Sequence, residues 1–288
     1  MSHSKREFVD QVGYLTFAQN TEVNYLRLAY IQALSLKVYM PESKYAVVID
    51  TNTQDWMLPK YAEAFDYVIV LKQDLAVNQD LKFNNECQTF SLTPFKETIK
   101  LESDLIFTRD ISHWIHGLRS KEIFLTTNIV NYRNEDVIDT TYRKQFIDNG
   151  LPNVYNGFSY FRYTKTAAEF FRLCRYITEN WDYVRNNILK GQFTQLTTDI
   201  MYALAAKLIG EENVTNPALI YPKFVHMKGS VNGLAANSDW SKHLYSQLDN
   251  EQLLVGFVKQ QYPFHYHIKT WATEEMENKY ERLFKRIS

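Results

Sequence analysis

The sequence predicts an α/β fold: a mostly parallel central sheet flanked by helices, in a single compact domain over 1–288 with C-terminal elaboration. Three observations predict it. Between residues 12 and 71, apolar runs suited to strands alternate with helical stretches in the order strand, helix, strand, helix, strand. Short alternations of this kind favour right-handed crossovers and parallel pairing. No internal repeat, low-complexity tract or linker divides the 288 residues. Finally, an apolar stretch at 97–107 reads as a further buried strand after that alternation.

Taken in order, residues 12–18 form the first expected strand and Asn20 or Thr21 the cap of the next element. A helix is expected over 22–38, where Val23, Leu26, Tyr30, Ile31 and Leu34 recur at helical spacing. Residues 45–49 give the second strand, 61–65 a brief helix and 67–71 the third strand. Parallel sheets bind ligands beyond the carboxyl ends of their strands. Ala18, Asn20 and Asp50, at the tips of the first two strands, are therefore candidate ligand contacts. There is no G-x-G-x-x-G and no G-x-x-x-x-G-K-[ST], which disfavours dinucleotide dehydrogenases and P-loop enzymes.

Residues 72–97 are polar and then mostly helical, and Thr93-Pro94 turns into the 97–107 strand. A helical turn at 110–115, a strand at 122–126 and a partly helical surface excursion at 131–148 follow. Loops of that size beside a site often contact a second substrate. A strand at 155–161, an amphipathic helix over 166–185 with a short extension to 190, and a helix beginning at Thr198 come next. The tail holds two similar pieces, 224–229 and 264–271, and closes with a helix over 274–287.

Composition narrows the function classes. Lys and Arg number 32 against 33 Asp and Glu, so no global basic field points to nucleic acid or anionic membrane. Cys87 and Cys174 lie far apart, fit no metal or redox spacing, and read as buried free thiols. Residues 1–10 are polar without an apolar signal core, and no apolar run reaches membrane-span length. A soluble, cytoplasmic setting is expected, in the host cytoplasm if the chain is viral.

The chemistry concentrates at Glu102 and Asp104. In a strand, residues two apart share a face, so both carboxylates can converge on one point. Paired oxygen ligands at a strand end suit a hard divalent cation such as Mg2+ or Mn2+. Two unrelated surface acids are the bland alternative for an isolated E-x-D. Asp199 is either a first-turn acid of its helix, where acids are enriched, or a functional group. His226 and His267 are each packed or surface histidines unless they complete the acid site.

The order of these residues resembles the GT-A nucleotide-sugar glycosyltransferases, most closely the glycogenin-like and bacterial galactosyltransferase-like group. Residues 90–104 match that family's helix, S-L-T turn and strand running into its D-x-D motif, with Glu102-Ser103-Asp104 at the motif itself. Asn156-Gly157 resembles its N-x-G strand entry, Asp199 its acidic helix start, and the His-rich tail its closing H-x-x-G-x-x-K-P-W segment. The resemblance spans roughly residues 12–271 and implies Mn2+ or Mg2+ on Asp104, Glu102 and a tail histidine. It implies donor contacts from Ala18, Asn20, Asp50, Asn156, Gly157 and Glu102, and catalytic roles for Asp199 and Lys269. Where the family often has a Lys in the preceding helix this chain has Glu86, with Lys82 nearby to replace it. Two tail segments compete for the closing motif: His267 with Lys269 and Trp271 fits the spacing better, whereas His226 with Lys228 and Gly229 keeps the glycine.

The function so implied is a metal-dependent hexosyl- or pentosyltransferase using a nucleoside-diphosphate sugar, a UDP-sugar first. Its acceptor is a hydroxyl of a glycan, a protein or a hydroxylated base of modified viral DNA. For that last acceptor, Arg133, Arg143 and Lys144 are the candidate phosphate contacts. A nucleotidyltransferase and a non-catalytic glycan-binding protein are the alternatives. The first of these usually carries a Gly-rich basic loop after strand one, where this chain has Ala18-Gln19-Asn20-Thr21.

Overall fold

A computed structural model of the protein describes residues 8–77, 79, 81–249 and 251–287; most of the polar opening, 1–7, lies outside them. The strands, in chain order, begin with β1 (Asp10–Phe17), β2 (Tyr45–Ile49), β3 (Tyr67–Val70), β4 (Phe95–Leu101), β5 (Leu105–Ile106), β6 (Ile123–Thr126), β7 (Asn128–Val130) and β8 (Tyr155–Arg162). They continue with β9 (Lys223–His226), β10 (Ser246–Asp249), β11 (Gln252–Val255), β12 (Val258–Lys259) and β13 (Phe264–His265).

The central sheet has the order β3-β2-β1-β4-β8-β6. The four strands from β3 to β4 are parallel, and β8 runs antiparallel to both of its neighbours. Alternate side chains of each strand enter opposite cores, as the strand period of two demands. Tyr45, Val47 and Ile49 join the main core, while Ala46 and Val48 face a smaller one. On the antiparallel side, Phe158 and Tyr160 belong to the main core, whereas Phe161 packs with Phe170, Phe171 and Tyr202 of two helices on the other face. Those helices are Lys165–Glu179 and Thr198–Ile209. Both faces of the sheet are therefore covered, and its carboxyl edge remains for a site.

A second sheet, ordered β5-β13-β9-β7, crosses that edge. The two similar tail pieces become its neighbouring parallel strands: Phe264 pairs with Val225 and His265 with His226. The C-terminal elaboration is the antiparallel sheet β10-β11-β12. The closing helix, Glu274–Ile287, packs beside the first helix, Tyr25–Tyr39, where Arg27 pairs with Glu277 and the Tyr30 hydroxyl donates to Glu281 at 3.1 Å.

Three expectations need correction. The 97–107 stretch is two strands in different sheets, with Glu102, Ser103 and Asp104 on the turn between them. The two acids thus converge through that turn rather than through a strand's alternating faces; apolar residues on both sides hid the break. The cap of the first helix is Asn24, whose side chain accepts from the Arg27 amide at 2.9 Å. Asn20 still satisfies a first-turn donor, the Leu26 amide, at 2.9 Å. The helix expected over 166–185 ends at Glu179 and resumes as Trp181–Asn187.

Candidate functional site

The turn that carries the acids is clamped from below by the first helix. Gln32, fully buried, donates to the carbonyls of Glu102 and Leu105, both at 2.7 Å. Its own oxygen accepts from Thr16 at 2.9 Å and from the Tyr45 hydroxyl at 2.6 Å, which sets the amide's orientation. From above, the Tyr266 amide donates to the Asp104 carbonyl at 3.1 Å. The turn's carbonyls are therefore held on two sides, by the Gln32 side chain and by the Tyr266 backbone.

Both carboxylates meet one imidazole. His265 Nε2 lies 3.0 Å from Glu102 Oε2 and 3.1 Å from Asp104 Oδ2. Lys269 adds an ion pair with Asp104. His226 Nδ1 and His267 Nε2 are 3.2 Å apart, and the rings of His265 and His267 lie 3.9 Å apart between centroids. The two tail candidates are thus neighbours at one place. His267 reaches it with φ of +57°, a left-handed conformation that costs an L-residue about 1–2 kcal/mol.

Charge is unevenly placed here. Burial acts to raise Asp104, but its neighbours His265 and Lys269 overcome it and hold this carboxyl well below the usual range. Burial raises Glu102, with the nearby charge of Asp104 adding to the rise against the opposing pull of His265. Burial, reinforced by the other imidazoles, holds His226 and His267 well below the ordinary histidine value. Neutral imidazoles with free lone pairs are what a metal ion requires.

A cavity of about 260 Å³ opens over these groups, lined among others by Gln19, Tyr25, Asn156, Asp199, Lys228 and Lys269. Asn156 is the hub of its wall. Its Nδ2 donates to Glu102 Oε1 and to Glu86 Oε2, both at 3.2 Å, and its Oδ1 accepts from Lys100 at 2.9 Å. Lys100 is fully buried and also ion-pairs with Glu86. The Asn156 amide donates to Asp199 Oδ1 at 2.8 Å, and Arg143 binds Asp199 Oδ2 at 2.8 Å. Gly157 lets Phe224 and His265 approach, since a Cβ there would sit 2.7 Å from Phe224 Cζ and 3.2 Å from His265 Nδ1.

The structure therefore brings Glu102, Asp104, Asn156, Gly157, Asp199, His226, His267, Lys228 and Lys269 to one cavity. Lys82 also lines it, but its ammonium donates to the Ala76 carbonyl at 2.6 Å. Ala18, Asn20 and Asp50 are not among the lining residues. Asp50 instead caps the Thr53 amide at 2.7 Å and holds Gln19 at 3.0 Å, so Gln19 is the residue that faces the cavity. Of the candidate phosphate contacts, Arg143 is corrected: it is buried, engaged with Asp199, and stacked on Phe146 and Tyr155. Arg133 and Lys144 are exposed, and Lys144 pairs with Asp148.

No family model matches the chain, and no curated protein matches it. Solved structures do. An active-site mutant of LgtC aligns over 96% of this chain and 96% of its own, with a TM-score of 0.51 and 11% identity. Mouse xyloside xylosyltransferase 1 in its apo form covers 91% of this chain and 99% of its own, with a TM-score of 0.50 and 12% identity. The fold is of the GT-A type seen in glycosyltransferases. The galactosyltransferase LgtC in complex with donor and acceptor sugar analogs also aligns, over 72% of this chain and 73% of its own, with a TM-score of 0.46 and 11% identity.

Within this GT-A frame, His265, Gln32 and Lys100 are residues that sequence reasoning did not single out, and Arg143 was singled out only as a candidate phosphate contact for a nucleic-acid acceptor. A signal existed for two of them. His265 and His267 are two apart, and so are Lys100 and Glu102. Gln32 and Arg143 lie 70 and 56 residues from their site partners, Glu102 and Asp199, and no local pattern marks them.

The donor set also fits a divalent ion. Among the described residues, Glu102, Asp104 and His265 offer ligand atoms within 4.8 Å of one another, and so do His226, His265 and His267. His265 Nδ1 is buried without a hydrogen-bond partner, while Nε2 of the same ring faces both carboxylates.

Proposed function

We propose that the protein is a metal-dependent glycosyltransferase, one domain over 1–288, that moves a sugar from a nucleoside diphosphate to a hydroxyl acceptor. The observation that carries this reading is the meeting of Glu102, Asp104, His265 and Lys269 beside Asp199 at the carboxyl edge of a GT-A sheet. The acids and imidazoles would hold a divalent ion, which when bound would supply Lewis-acid stabilisation to the diphosphate leaving group. Lys269 and the exposed Lys228 line the same cavity and donate charge-assisted hydrogen bonds to that group. Asn156, Gly157 and Gln19 provide the polar and close-packed wall against the donor. Asp199 is the acid that faces the sugar, as base or as anchor of its hydroxyls.

A nucleotidyltransferase reading lacks support at the first strand tip, where Ala18-Gln19-Asn20-Thr21 has neither Gly nor Lys. Among the described residues, no helix is long and apolar enough to cross a membrane. A glycan hydroxyl is the first acceptor to test, with a UDP-sugar as donor.

The experiment is release of nucleoside diphosphate from a panel of nucleotide sugars, with and without Mn2+, by wild type and Asp104→Ala. Metal-dependent release by wild type, lost by at least about 100-fold in the variant, is expected. Normal turnover by Asp104→Ala refutes the assignment of the metal site.

A further inference from the structure

We propose that Arg143 is a positioning residue for the sugar end of the cavity: from behind the wall it fixes the Asp199 carboxylate in the orientation that receives the donor sugar. The proposal rests on the reading that Asp199 faces that sugar, and goes beyond it in assigning the group that aims the acid.

The geometry separates the two roles. Asp199 lines the cavity and its side chain is 25% exposed, whereas Arg143 is not among the lining residues and its side chain is 6% exposed. Arg143 therefore acts through Asp199 rather than on a ligand. Its Nη2 donates to Asp199 Oδ2 at 2.8 Å. Its Nη1 donates to Asn153 Oδ1 at 2.9 Å and to the Val154 carbonyl at 2.8 Å. The guanidinium carbon lies 3.7 Å from the ring centroid of Phe146 and 4.2 Å from that of Tyr155. Bonds from both terminal nitrogens and contact with two rings leave the planar fork one seating. With the Asn156 amide donating to Oδ1 at 2.8 Å, the Asp199 carboxylate is held through both oxygens.

The cation comes from the excursion over 131–148, which is docked on the wall at this point. The Tyr142 and Tyr155 hydroxyls share a hydrogen bond of 2.6 Å, and Phe146 is buried in the core formed with the helix that begins at Thr198. Lys100, the other buried cation of that wall, is taken up by Glu86 and Asn156. Among the described residues, Arg143 is thus the ion-pair partner of Asp199. A second observation points to a ligand at the same place. The Thr198 hydroxyl, next to Asp199, is buried without a hydrogen-bond partner and lines the cavity. A buried hydroxyl left unpaired is unfavourable, and a sugar hydroxyl held at Asp199 would satisfy it.

The test uses the whole chain and reads binding as well as turnover. Calorimetric titrations in Mn2+ with UDP, GDP, UDP-glucose, UDP-galactose and GDP-mannose separate the sugar's contribution from that of the nucleotide. Arg143→Ala should weaken the tightest nucleotide sugar about tenfold, leave its bare nucleoside diphosphate within about threefold, and lower turnover about 100-fold. Arg143→Lys, which keeps the charge but not the fork, should lie between wild type and Arg143→Ala. Adding Arg143→Ala to Asp199→Ala should cost less than about twofold more, because a residue that acts through Asp199 then has nothing to aim. A merely structural role predicts the opposite: losses that multiply in the double variant and fall equally on nucleotide and nucleotide sugar. Either result, or wild-type behaviour of Arg143→Ala, overturns the proposal. Thermal melting confirms that each variant is folded, and if Arg143→Ala is not, the same cycle with Arg143→Lys decides. Wild type that binds no nucleotide in Mn2+ removes the glycosyltransferase reading and this proposal together, whereas wild-type binding that Arg143→Ala leaves unchanged removes this proposal alone.

Discussion

Asp199 accepts from the Asn156 amide with one oxygen and from Arg143 with the other. Its placement is thus structural and chemical together, and Asp199→Asn perturbs both. One side of an Asn would present N–H towards a donor, leaving either Arg143 or the Asn156 amide unpaired. Arg143's side chain is 6% exposed, so the unpaired charge costs about 3 kcal/mol. The expected outcome is a melting temperature lower by several degrees, turnover reduced by about 100-fold and nucleotide binding changed by less than about threefold. Calorimetry, kinetics and titration on one preparation check all three. The sequence marked Asp199 through its position at a helix start. Arg143 was legible only as a charge on a surface excursion, because 56 residues separate it from its partner. His265 was passed over for a related reason: the motif's spacing offered His226 and His267 as rivals, whereas the strand register sets His265 beside His226 and the left-handed backbone that follows adds His267.

Among the elements, the first helix does more than cover the sheet. Gln32 bonds two carbonyls of the acid turn and serves as acceptor for two hydroxyls. Gln32→Leu leaves those groups buried and unpaired, at about 1–3 kcal/mol for each that finds no new partner. It should also weaken Mn2+ binding about tenfold, because the ligands ride on the turn that Gln32 holds; unchanged metal affinity would show that the clamp is unconnected to the site. A second element pair is the Glu86 turn against β4. Lys100→Met strands the Glu86 carboxylate and should cost about 3–5 kcal/mol in urea unfolding, whereas Lys100→Met combined with Glu86→Gln should recover most of it. The sequence placed most elements well. β2 and the closing helix coincide with their expected residues, since each is bounded by strong polar breaks. It missed the division of 97–107 because apolar period reports burial, and both β4 and β5 are buried while belonging to different sheets.

For the molecule as a whole, function depends on where the two sheets meet. The parallel strands bring the acid turn to the carboxyl edge, and the crossing sheet brings the histidines and Lys269 down onto it. The strand-and-helix alternation made the first sheet legible. The second was hidden in two short, similar tail pieces whose pairing requires the folded chain. Both halves should respond together when the site is filled. Thermal unfolding with UDP in the presence and absence of Mn2+ tests this most directly. At ligand concentrations near 100 times the dissociation constant, the two together should raise the midpoint by about 5 °C, with UDP alone giving little. A midpoint that no nucleoside diphosphate raises in a metal-dependent way would contradict the account.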